Sequence, residues 1–185
     1  MTTDQALADE IVGTIRQWVD RDVMPNAAEF EHSDTFPQAM FDQMCEFGLF
    51  GSTIAEEYGG LGLDSTTYTR IIEELSRGFM SLAGILNTHK IAATMIGRYS
   101  TEEQRQKYLP QIASGDLRLQ AFGVTEPTSG TDTTSLRTRA VRDGDHYVVN
   151  GQKIWTSRAL YSDLMLLLAR TTPKEEVSRP TEGLS

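Results

Sequence analysis

The chain has 185 residues, of which 39% are hydrophobic and 23% are charged, and its formal net charge is −9. A chain of this size is long enough for one globular domain or two small ones that need no disulfide or metal. The acidic balance argues against nucleic acid or an anionic membrane as the main partner, because both require a dense positive surface. An anionic ligand could still be held locally by backbone amides.

The first part of the chain is predicted to be helical. Apolar residues recur every three or four positions over residues 3–24, which predicts an amphipathic helix that ends at Pro25. A second helix is predicted over 37–48, because proline is favoured at a first helical position and glycine just after a helix. Its inner face would consist of Met40, Phe41, Met44 and Phe47.

A tight loop containing several glycines is predicted at 56–62, and further helices follow it. The next helix runs over 65–76 and begins at Asp64 or Ser65, both of which are good N-cap residues. Another helix is predicted over 81–99, where apolar residues again recur at helical spacing.

One more helix is predicted before the pattern changes. Ser100 and Glu103 have the spacing of a capping box at its start, and Gly115 marks its end. Pro110 is expected to break or restart this helix, because proline lacks the N–H group that a helix interior requires.

The last third of the chain has the pattern of β-strands. Leu117, Leu119 and Ala121 alternate with polar residues, as in a half-buried strand. Turn dipeptides occur at Asp143-Gly144 and Asn150-Gly151, and the second is a strong signal for a tight hairpin. Further strands are predicted over 136–142, His146–Asn150, 152–157 and 163–171.

These patterns predict an α+β protein with a change of architecture near residue 115. We expect an all-helical N-terminal domain at 1–115 and an antiparallel, β-barrel-like middle domain at 116–185. Four or five strands with one hairpin do not close a barrel or complete a sandwich. We therefore expect the β domain to be truncated and the chain to be part of a longer protein.

The cysteine and the histidines do not predict a metal site or a disulfide. Cys45 is the only cysteine, and its apolar-rich neighbourhood is typical of a buried small hydrophobe. His32, His89 and His146 are far apart and share no metal-ligand spacing with it. We expect no metal, and we expect His89 to have a structural role within its helix.

Neither a membrane span nor a targeting segment is predicted. The longest apolar run, 164–169, is far too short to cross a bilayer. The polar and acidic residues 1–10 lack the basic and apolar regions of a signal peptide, so we expect a cytoplasmic protein.

The loop at 125–134 carries the densest set of hydroxyl groups in the β part. It contains Gly130, where a ligand can approach the backbone, and its amides and hydroxyls can bind an anion without positive side chains. The alternative is a solvated connection stabilised by local hydroxyl–backbone bonds, although ten residues is long for such a connection. We expect Glu126 and Asp132 to stabilise this loop rather than to act as a catalytic pair.

Residues 123–135 (Gly-Val-Thr-Glu-Pro-Thr-Ser-Gly-Thr-Asp-Thr-Thr-Ser) match, position for position, a signature of the acyl-CoA dehydrogenase flavoprotein family. Similar segments occur in order along the chain, at 56–62, 108–115 and 150–155. Together the matches cover almost the whole sequence. The chain therefore resembles this family.

The resemblance implies an FAD-dependent oxidoreductase of fatty acid β-oxidation, built from a helical domain, a β middle domain and a C-terminal helical bundle that is missing here. Members oxidise acyl-CoA thioesters between the α and β carbons. A carboxylate base removes the α proton, and the β hydrogen passes as a hydride to flavin N5. The resemblance implies that this base lies in the missing domain, so the chain would hold no catalytic residue and would be inactive alone.

The resemblance also implies a set of cofactor-binding residues: Phe122, Val124, Thr125, Gly130, Thr131, Trp155 and Ser157. In the family frame Thr125 would lie near flavin N1 and O2, and Gly130 and Thr131 would meet the pyrophosphate. Thr131, where relatives more often have serine, would also contact the acyl-CoA substrate. Trp155 would pack on the flavin face. Because side chains alternate along a strand, only one of two adjacent hydroxyls can face the flavin, and the resemblance implies that Ser157 faces N5.

Partners and alternatives follow from the same resemblance. The implied partners are acyl-CoA, an electron-transfer flavoprotein and further copies of the chain in a homodimer or homotetramer. One alternative is a flavin monooxygenase or nitroalkane oxidase-like enzyme on the same fold, and another is a non-catalytic truncated chain. The close fit of 123–135 favours the dehydrogenase.

Overall fold

The computed structural model describes residues 3–119 and 121–185, and the chain divides after Leu119 into two compact units. We call them the helical unit, up to Leu119, and the sheet unit, from Ala121 onward. Over these two described ranges, no helix is long and apolar enough to cross a membrane. The same residues contain no group of three or more side chains that could hold a metal ion.

The helical unit is an assembly of α-helices around one apolar core. Helix α1 is capped by Asp4, whose carboxylate accepts the N–H groups of Ala6 and Leu7 at 3.0 and 3.1 Å. Its buried residues, among them Ile15 and Trp18, recur at helical spacing and join the core. The helices are α1 (Gln5–Trp18), α2 (Met24–Ser33), α3 (Gln38–Glu46), α4 (Ser65–Gly78), α5 (Met80–Tyr99) and α6 (Glu102–Ser114).

The predicted helices at 37–48, 65–76 and 81–99 correspond to α3, α4 and α5, so the helical character of this part is confirmed. Asp64 caps α4 by accepting the N–H of Thr67 at 2.8 Å. The predicted inner face of α3 is buried, except that Phe47 follows the helix and is half-buried. Local periodicity and capping chemistry were sufficient to locate these elements.

Pro25 does not end the helical path of the chain, contrary to the prediction. After α1 the chain forms a π-helical segment, Val19–Val23, in which the N–H of Met24 donates to the carbonyl of Val19. Helix α2 then begins with Pro25 in its first turn. The prediction was wrong because the first turn of a helix leaves its N–H groups unpaired, so proline is tolerated there.

Helix α6 differs from its prediction in two details. Its capping box is formed by Thr101 and Gln104, one residue later than predicted, with side chain-to-backbone bonds in both directions. Pro110 lies inside the helix and does not break it. The helix continues because the neighbouring Leu109 and Ile112 are buried, and their packing offsets the missing hydrogen bond.

His89 joins two helices within the core. The side chain is 1% exposed, and its Nε2 lies 2.8 Å from the carbonyl oxygen of Ile112 in α6. Burial lowers the pKa of His89 to about 4, which keeps the ring neutral at pH 7 and able to donate this bond. The predicted structural role of His89 is confirmed.

Cys45 packs against the same core at the C-terminal end of α3. Burial, aided by the charge of Asp42, raises the pKa of its thiol to about 11. Gly115 passes so close that a Cβ atom there would lie 2.6 Å from Sγ, and its φ of +85° also favours glycine. The thiol is therefore protonated at neutral pH and has a packing role.

The sheet unit contains short strands in two separate pairs. Strands β2 and β3 form an antiparallel hairpin that turns at Gly144 and Asp145. Strands β1 and β4 pair in parallel, with Phe122 opposite Leu166. The strands are β1 (Ala121–Gly123), β2 (Arg139–Asp143), β3 (His146–Asn150) and β4 (Met165–Leu167).

The antiparallel, barrel-like sheet that the sequence predicts is not formed by residues 121–185. One pair is parallel, and the two pairs form separate two-stranded sheets. Arg139 of β2 also forms an isolated bridge with Arg170, which follows β4 in the chain. A parallel pair needs a long connection between its strands, and here that connection includes the loop after β1 and the whole β2–β3 hairpin. Alternation along each strand carries no information about such a distant partner.

Residues 152–157, predicted as a strand, are irregular in the structure. Trp155 has a φ of +58° and Arg158 a φ of +56°, and neither value is compatible with an extended strand. Asn150-Gly151 is not a hairpin turn either. Gly151 instead allows close approach to Thr138, whose Cα would lie 2.6 Å from a Cβ atom at residue 151.

Candidate functional site

The candidate site is the loop that follows β1, together with the irregular segment after β3. We call residues 124–135 the hydroxyl-rich loop. It begins with a tight turn in which Glu126 and Ser129 exchange backbone hydrogen bonds of 2.8 and 3.2 Å. The Ser129 hydroxyl then donates to the carbonyl of Asp132 at 2.6 Å. The local bonds that proline, serine and aspartate favour therefore give the loop a defined shape.

Glu126 anchors the loop to the rest of the sheet unit. Its carboxylate accepts the backbone N–H groups of Arg137 and Thr138 at 2.6 and 2.8 Å. It also accepts a hydrogen bond of 2.9 Å from the ammonium of Lys153, which donates in addition to the carbonyl of Val124. The loop is thus attached both to the segment before β2 and to the segment after β3.

The ionisation of Glu126 follows from these contacts. Burial alone would raise its pKa, but the hydrogen bonds from Thr138, Arg137 and Lys153 outweigh burial and lower the pKa to about 2. The carboxylate is therefore charged at neutral pH, with its lone pairs already engaged. It is a structural anchor and a poor proton acceptor for a substrate.

Asp132 has a similar structural role at the other end of the loop. Its carboxylate accepts from the Thr134 hydroxyl at 2.6 Å and from the Ser135 hydroxyl. These hydrogen bonds lower the pKa of Asp132. Both loop carboxylates accept hydrogen bonds from residues of the same unit, in agreement with the loop-stabilising role predicted from the sequence.

The middle of the loop presents unused hydrogen-bond donors. The structure gives no internal partner, among its described residues, to the amides of Thr125, Gly130 or Thr131. Thr125 is half-buried and Thr131 is exposed. A Cβ atom at Gly130 would have its nearest neighbour, a Thr125 methyl group, 3.9 Å away. Nothing inside the chain therefore requires glycine there, whereas a ligand that approaches the backbone would.

Trp155 is brought next to this loop by a backbone bond. The N–H of Ile154 donates to the carbonyl of Thr125 at 2.9 Å. Trp155 follows with 84% of its surface exposed and a left-handed backbone. A large exposed aromatic ring on strained backbone is typical of a binding surface, since neither packing nor local preference favours it.

The remaining predicted residues lie on either side of this group. Phe122 is partly exposed in the middle of β1, and Val124 is half-buried at the start of the loop. Ser157 is exposed in the turn after Trp155, and no described contact joins its side chain to the loop. The structure therefore brings Thr125, Gly130 and Trp155 together most clearly.

Lys153 is the residue of this site to which the sequence assigned no role. Its side chain is 9% exposed, and it pairs with a carboxylate 27 positions away. A single lysine in an irregular segment gives no signal of such a pair.

In chemical terms, the arrangement offers free amides and hydroxyls beside an exposed aromatic face, with no free acid or base. It can bind a flat, acceptor-rich ligand that carries phosphate groups, through directed donors and stacking. This chemistry fits FAD, whose ring edge and pyrophosphate are rich in acceptors. An arrangement of this kind suits the binding of a cofactor, and proton transfer would require another group.

Comparison with known families gives a match over nearly the whole chain. Residues 6–116 match the model described as the acyl-CoA dehydrogenase N-terminal domain, and residues 121–185 match the acyl-CoA dehydrogenase middle domain. A curated relative, the short-chain specific acyl-CoA dehydrogenase of Clostridium acetobutylicum, is 36% identical over 186 residues. That alignment covers 100% of this chain and 47% of the relative.

Solved structures agree with the sequence matches. The acyl-CoA dehydrogenase of Geobacillus kaustophilus has a TM-score of 0.88 at 32% identity, covering 98% of this chain and 47% of that one. A glutaryl-CoA dehydrogenase of Mycobacterium smegmatis in complex with FADH2 has a TM-score of 0.80 at 32% identity, covering 91% and 43%. The chain spans about half the length of the relatives it matches.

Proposed function

The chain belongs to the acyl-CoA dehydrogenase family, and we propose that it supplies the flavin-binding part of an FAD-dependent enzyme that oxidises acyl-CoA thioesters. The observation that carries this proposal is the group of free donors at Thr125, Gly130 and Thr131 beside the exposed ring of Trp155. When bound, FAD would supply the electron acceptor for the oxidation.

The residues of this chain would bind and orient the cofactor. The amide and hydroxyl of Thr125 would hydrogen-bond the acceptor edge of the flavin ring, and Trp155 would stack on its face. The amides of Gly130 and Thr131 would bind the pyrophosphate, which needs no positive side chain where backbone donors converge. The Thr131 hydroxyl would also contact the acyl-CoA substrate, while Phe122, Val124 and Ser157 would complete the ring contacts.

The rigidity of the loop supports this assignment. Glu126 and Asp132 fix the loop from inside, so its free amides are held in place before any ligand binds. A preorganised site loses less conformational entropy on binding than a flexible one. By family membership we also propose acyl-CoA as the substrate class, an electron-transfer flavoprotein as the redox partner and a homodimer or homotetramer as the assembly.

FAD binding to the 185-residue chain, followed by quenching of flavin fluorescence, tests the cofactor site. Thr125→Val is expected to weaken FAD binding about fivefold, because one lost hydrogen bond is worth roughly 1 kcal/mol. Thr128→Val is a matched control, since Thr128 is exposed in the same loop and its hydroxyl makes no described bond. Equal FAD affinity in both variants would contradict the assigned role of Thr125.

The reaction class is tested separately in the complete gene product. We expect a panel of acyl-CoA thioesters to bleach the flavin absorbance anaerobically. Failure of every thioester, together with oxygen consumption driven by a nitroalkane, would favour an oxidase of the same fold. FAD binding without any reduction by either substrate class would favour a non-catalytic chain.

A further inference from the structure

The sheet unit contains a second polar region, a cleft of about 510 Å³ beside β2. We call it the arginine cleft, because four of its lining side chains are cationic: Arg137, Arg139, Arg170 and Lys174. Among the described residues that line it, Glu175 is the one acidic residue, and Ser135 also lines the cleft. The chain as a whole has a net charge of −9, so this concentration of positive charge is a local feature.

The backbone explains why these arginines converge. Arg139 and Arg170 form a parallel bridge, with the N–H of Ala140 donating to the Arg170 carbonyl at 2.9 Å. Bridged residues project from the same face of a sheet, and Arg137, two residues before Arg139, lines the same cleft. Burial alternates accordingly, since Thr138 and Ala140 are buried while Arg137 and Arg139 are exposed.

Arg170 also lines the cleft, and no carboxylate of residues 3–119 and 121–185 forms an ion pair with it. Its side chain is 7% exposed, and its guanidinium donates to the carbonyls of Thr134 at 2.9 Å and Glu182 at 3.1 Å. These neutral acceptors orient the group but do not cancel its charge. A buried charge that is oriented and not neutralised is costly unless a counter-ion binds.

The other cations of the cleft also lack an acidic partner among the described residues. Arg137, Arg139 and Lys174 form no ion pair there within 4 Å, although Glu175 lines the same cleft. The charge of Lys174 reaches Asp132 and helps to lower its pKa, but that carboxylate is already engaged by two hydroxyl groups. The cleft therefore retains a net positive charge.

We propose that the arginine cleft binds a phosphate group of a small-molecule ligand. A phosphate dianion would relieve the repulsion among the four cations, and the guanidinium forks of Arg137 and Arg139 suit its oxygens. The proposal uses only the charge and geometry of the cleft. The cleft borders the hydroxyl-rich loop at Ser135, but it includes none of the residues proposed to contact FAD. It therefore does not rest on the proposed function.

Two sources could supply the phosphate: free inorganic phosphate, or the phosphate ester of a nucleotide such as coenzyme A. Calorimetric titration of the 185-residue chain with inorganic phosphate, coenzyme A and dephospho-coenzyme A distinguishes them. A preference for coenzyme A over its dephospho form assigns the cleft to the ester. Equal or tighter binding of inorganic phosphate assigns it to the free ion.

Substitutions locate the binding in the cleft. Arg139→Gln is expected to weaken phosphate binding about tenfold, because a charge-assisted hydrogen bond is lost, and Lys174→Gln should weaken it less. Arg142→Gln is the matched control, since Arg142 is exposed on the same strand and bonds only to the Gly144 carbonyl. Circular dichroism of each variant checks that it is folded.

Loss of binding in Arg139→Gln with retention in Arg142→Gln supports the site. Equal binding by all variants, or no binding of any of the three phosphate compounds to the unmodified chain, overturns it. These outcomes are independent of the flavin, because no step of the titration requires FAD. A chain that fails to bind FAD can therefore still support or refute the phosphate site.

Discussion

The Nζ atom of Lys153 lies 2.9 Å from a carboxylate oxygen of Glu126, and the two side chains are only 9% and 3% exposed. Burial of two ions is costly, and such a pair is stable only when further hydrogen bonds satisfy both partners. Here the backbone N–H groups of Arg137 and Thr138 also donate to the Glu126 carboxylate. The Lys153 ammonium donates a second hydrogen bond to the carbonyl of Val124. The pair therefore fixes the start of the hydroxyl-rich loop to the segment that carries the exposed tryptophan.

Glu126→Gln is expected to lower the free energy of unfolding by about 3 kcal/mol, because it leaves the Lys153 ammonium buried without a counter-ion. Urea unfolding followed by circular dichroism measures this change. Glu176→Gln removes an exposed carboxylate from the same unit and should change stability by no more than about 0.5 kcal/mol. Similar small effects for both variants would show that the buried pair does not hold the loop.

Adding Lys153→Met to Glu126→Gln tests the same pair from the other side. The double variant is expected to be more stable than Glu126→Gln alone by about 1 kcal/mol or more, because the uncompensated charge is removed. The four proteins of this cycle, unfolded in urea under one set of conditions, give the coupling between the two residues. Strictly additive effects would mean that the ions do not stabilise each other.

The helical unit could be predicted from the sequence because its signals are local. The cap at Asp64 and the apolar face of α3 each depend on residues within one or two turns of the same helix. The prediction failed before Pro25, where the chain passes through the π-helical turn Val19–Val23 and continues into α2. Packing of Val19 and Val23 into the core decides that turn, and packing is not a local property.

The sheet unit was harder to predict because its contacts are distant in sequence. The parallel pairing of β1 with β4 joins Phe122 to Leu166, and no alternation pattern reports such a partner. Trp155 could be selected by family resemblance, but its left-handed backbone could not, since large residues rarely adopt it. Lys153 shows the same limit: the loop-stabilising role of Glu126 could be predicted, but its pairing with a lysine 27 positions away could not.

The pKa of His89 predicts a pH dependence for the helical unit. The folded pKa is about 4 against an ordinary value of 6.5, so the unfolded chain binds the proton more readily between these values. Stability should therefore be full above pH 6.5 and fall by about 3 kcal/mol as the pH drops to 4. Urea unfolding at several pH values measures this fall.

Two variants assign that slope to one residue. His89→Leu cannot be protonated, so its stability should change less between pH 6.5 and 4, whatever its stability at neutral pH. His146→Gln removes an exposed histidine and should keep the slope of the unmodified chain. An unchanged slope in His89→Leu would show that other groups cause the loss of stability in acid.

Substitutions of Trp155 should have different effects on the free energy of unfolding and on FAD binding. Its side chain is largely exposed and its φ is +58°, so Trp155→Gly loses little packing and removes backbone strain. We expect the free energy of unfolding to rise by about 1 kcal/mol while FAD binding weakens. Trp155→Phe keeps the strain and an aromatic face, so it should change both properties less. A lower free energy of unfolding in Trp155→Gly would contradict backbone strain at residue 155. Unchanged FAD binding would contradict the stacking role of the Trp155 ring.

Two glycines of the sheet unit give opposite predictions for the same substitution. A Cβ atom at Gly151 would lie 2.6 Å from the Cα of Thr138, so Gly151→Ala must displace backbone. It should lower the free energy of unfolding by about 2 kcal/mol. A Cβ atom at Gly130 meets nothing closer than 3.9 Å, so Gly130→Ala should leave stability within about 0.5 kcal/mol of the unmodified chain.

FAD binding, unlike stability, should be sensitive to the Gly130→Ala substitution. If the backbone there contacts a pyrophosphate, the added methyl group of Gly130→Ala occupies the space that the ligand needs, and FAD affinity should fall about tenfold. Urea unfolding and flavin fluorescence on the same samples measure both properties. If a stable Gly130→Ala chain bound FAD with unchanged affinity, the pyrophosphate could not lie against the backbone at this position of the loop.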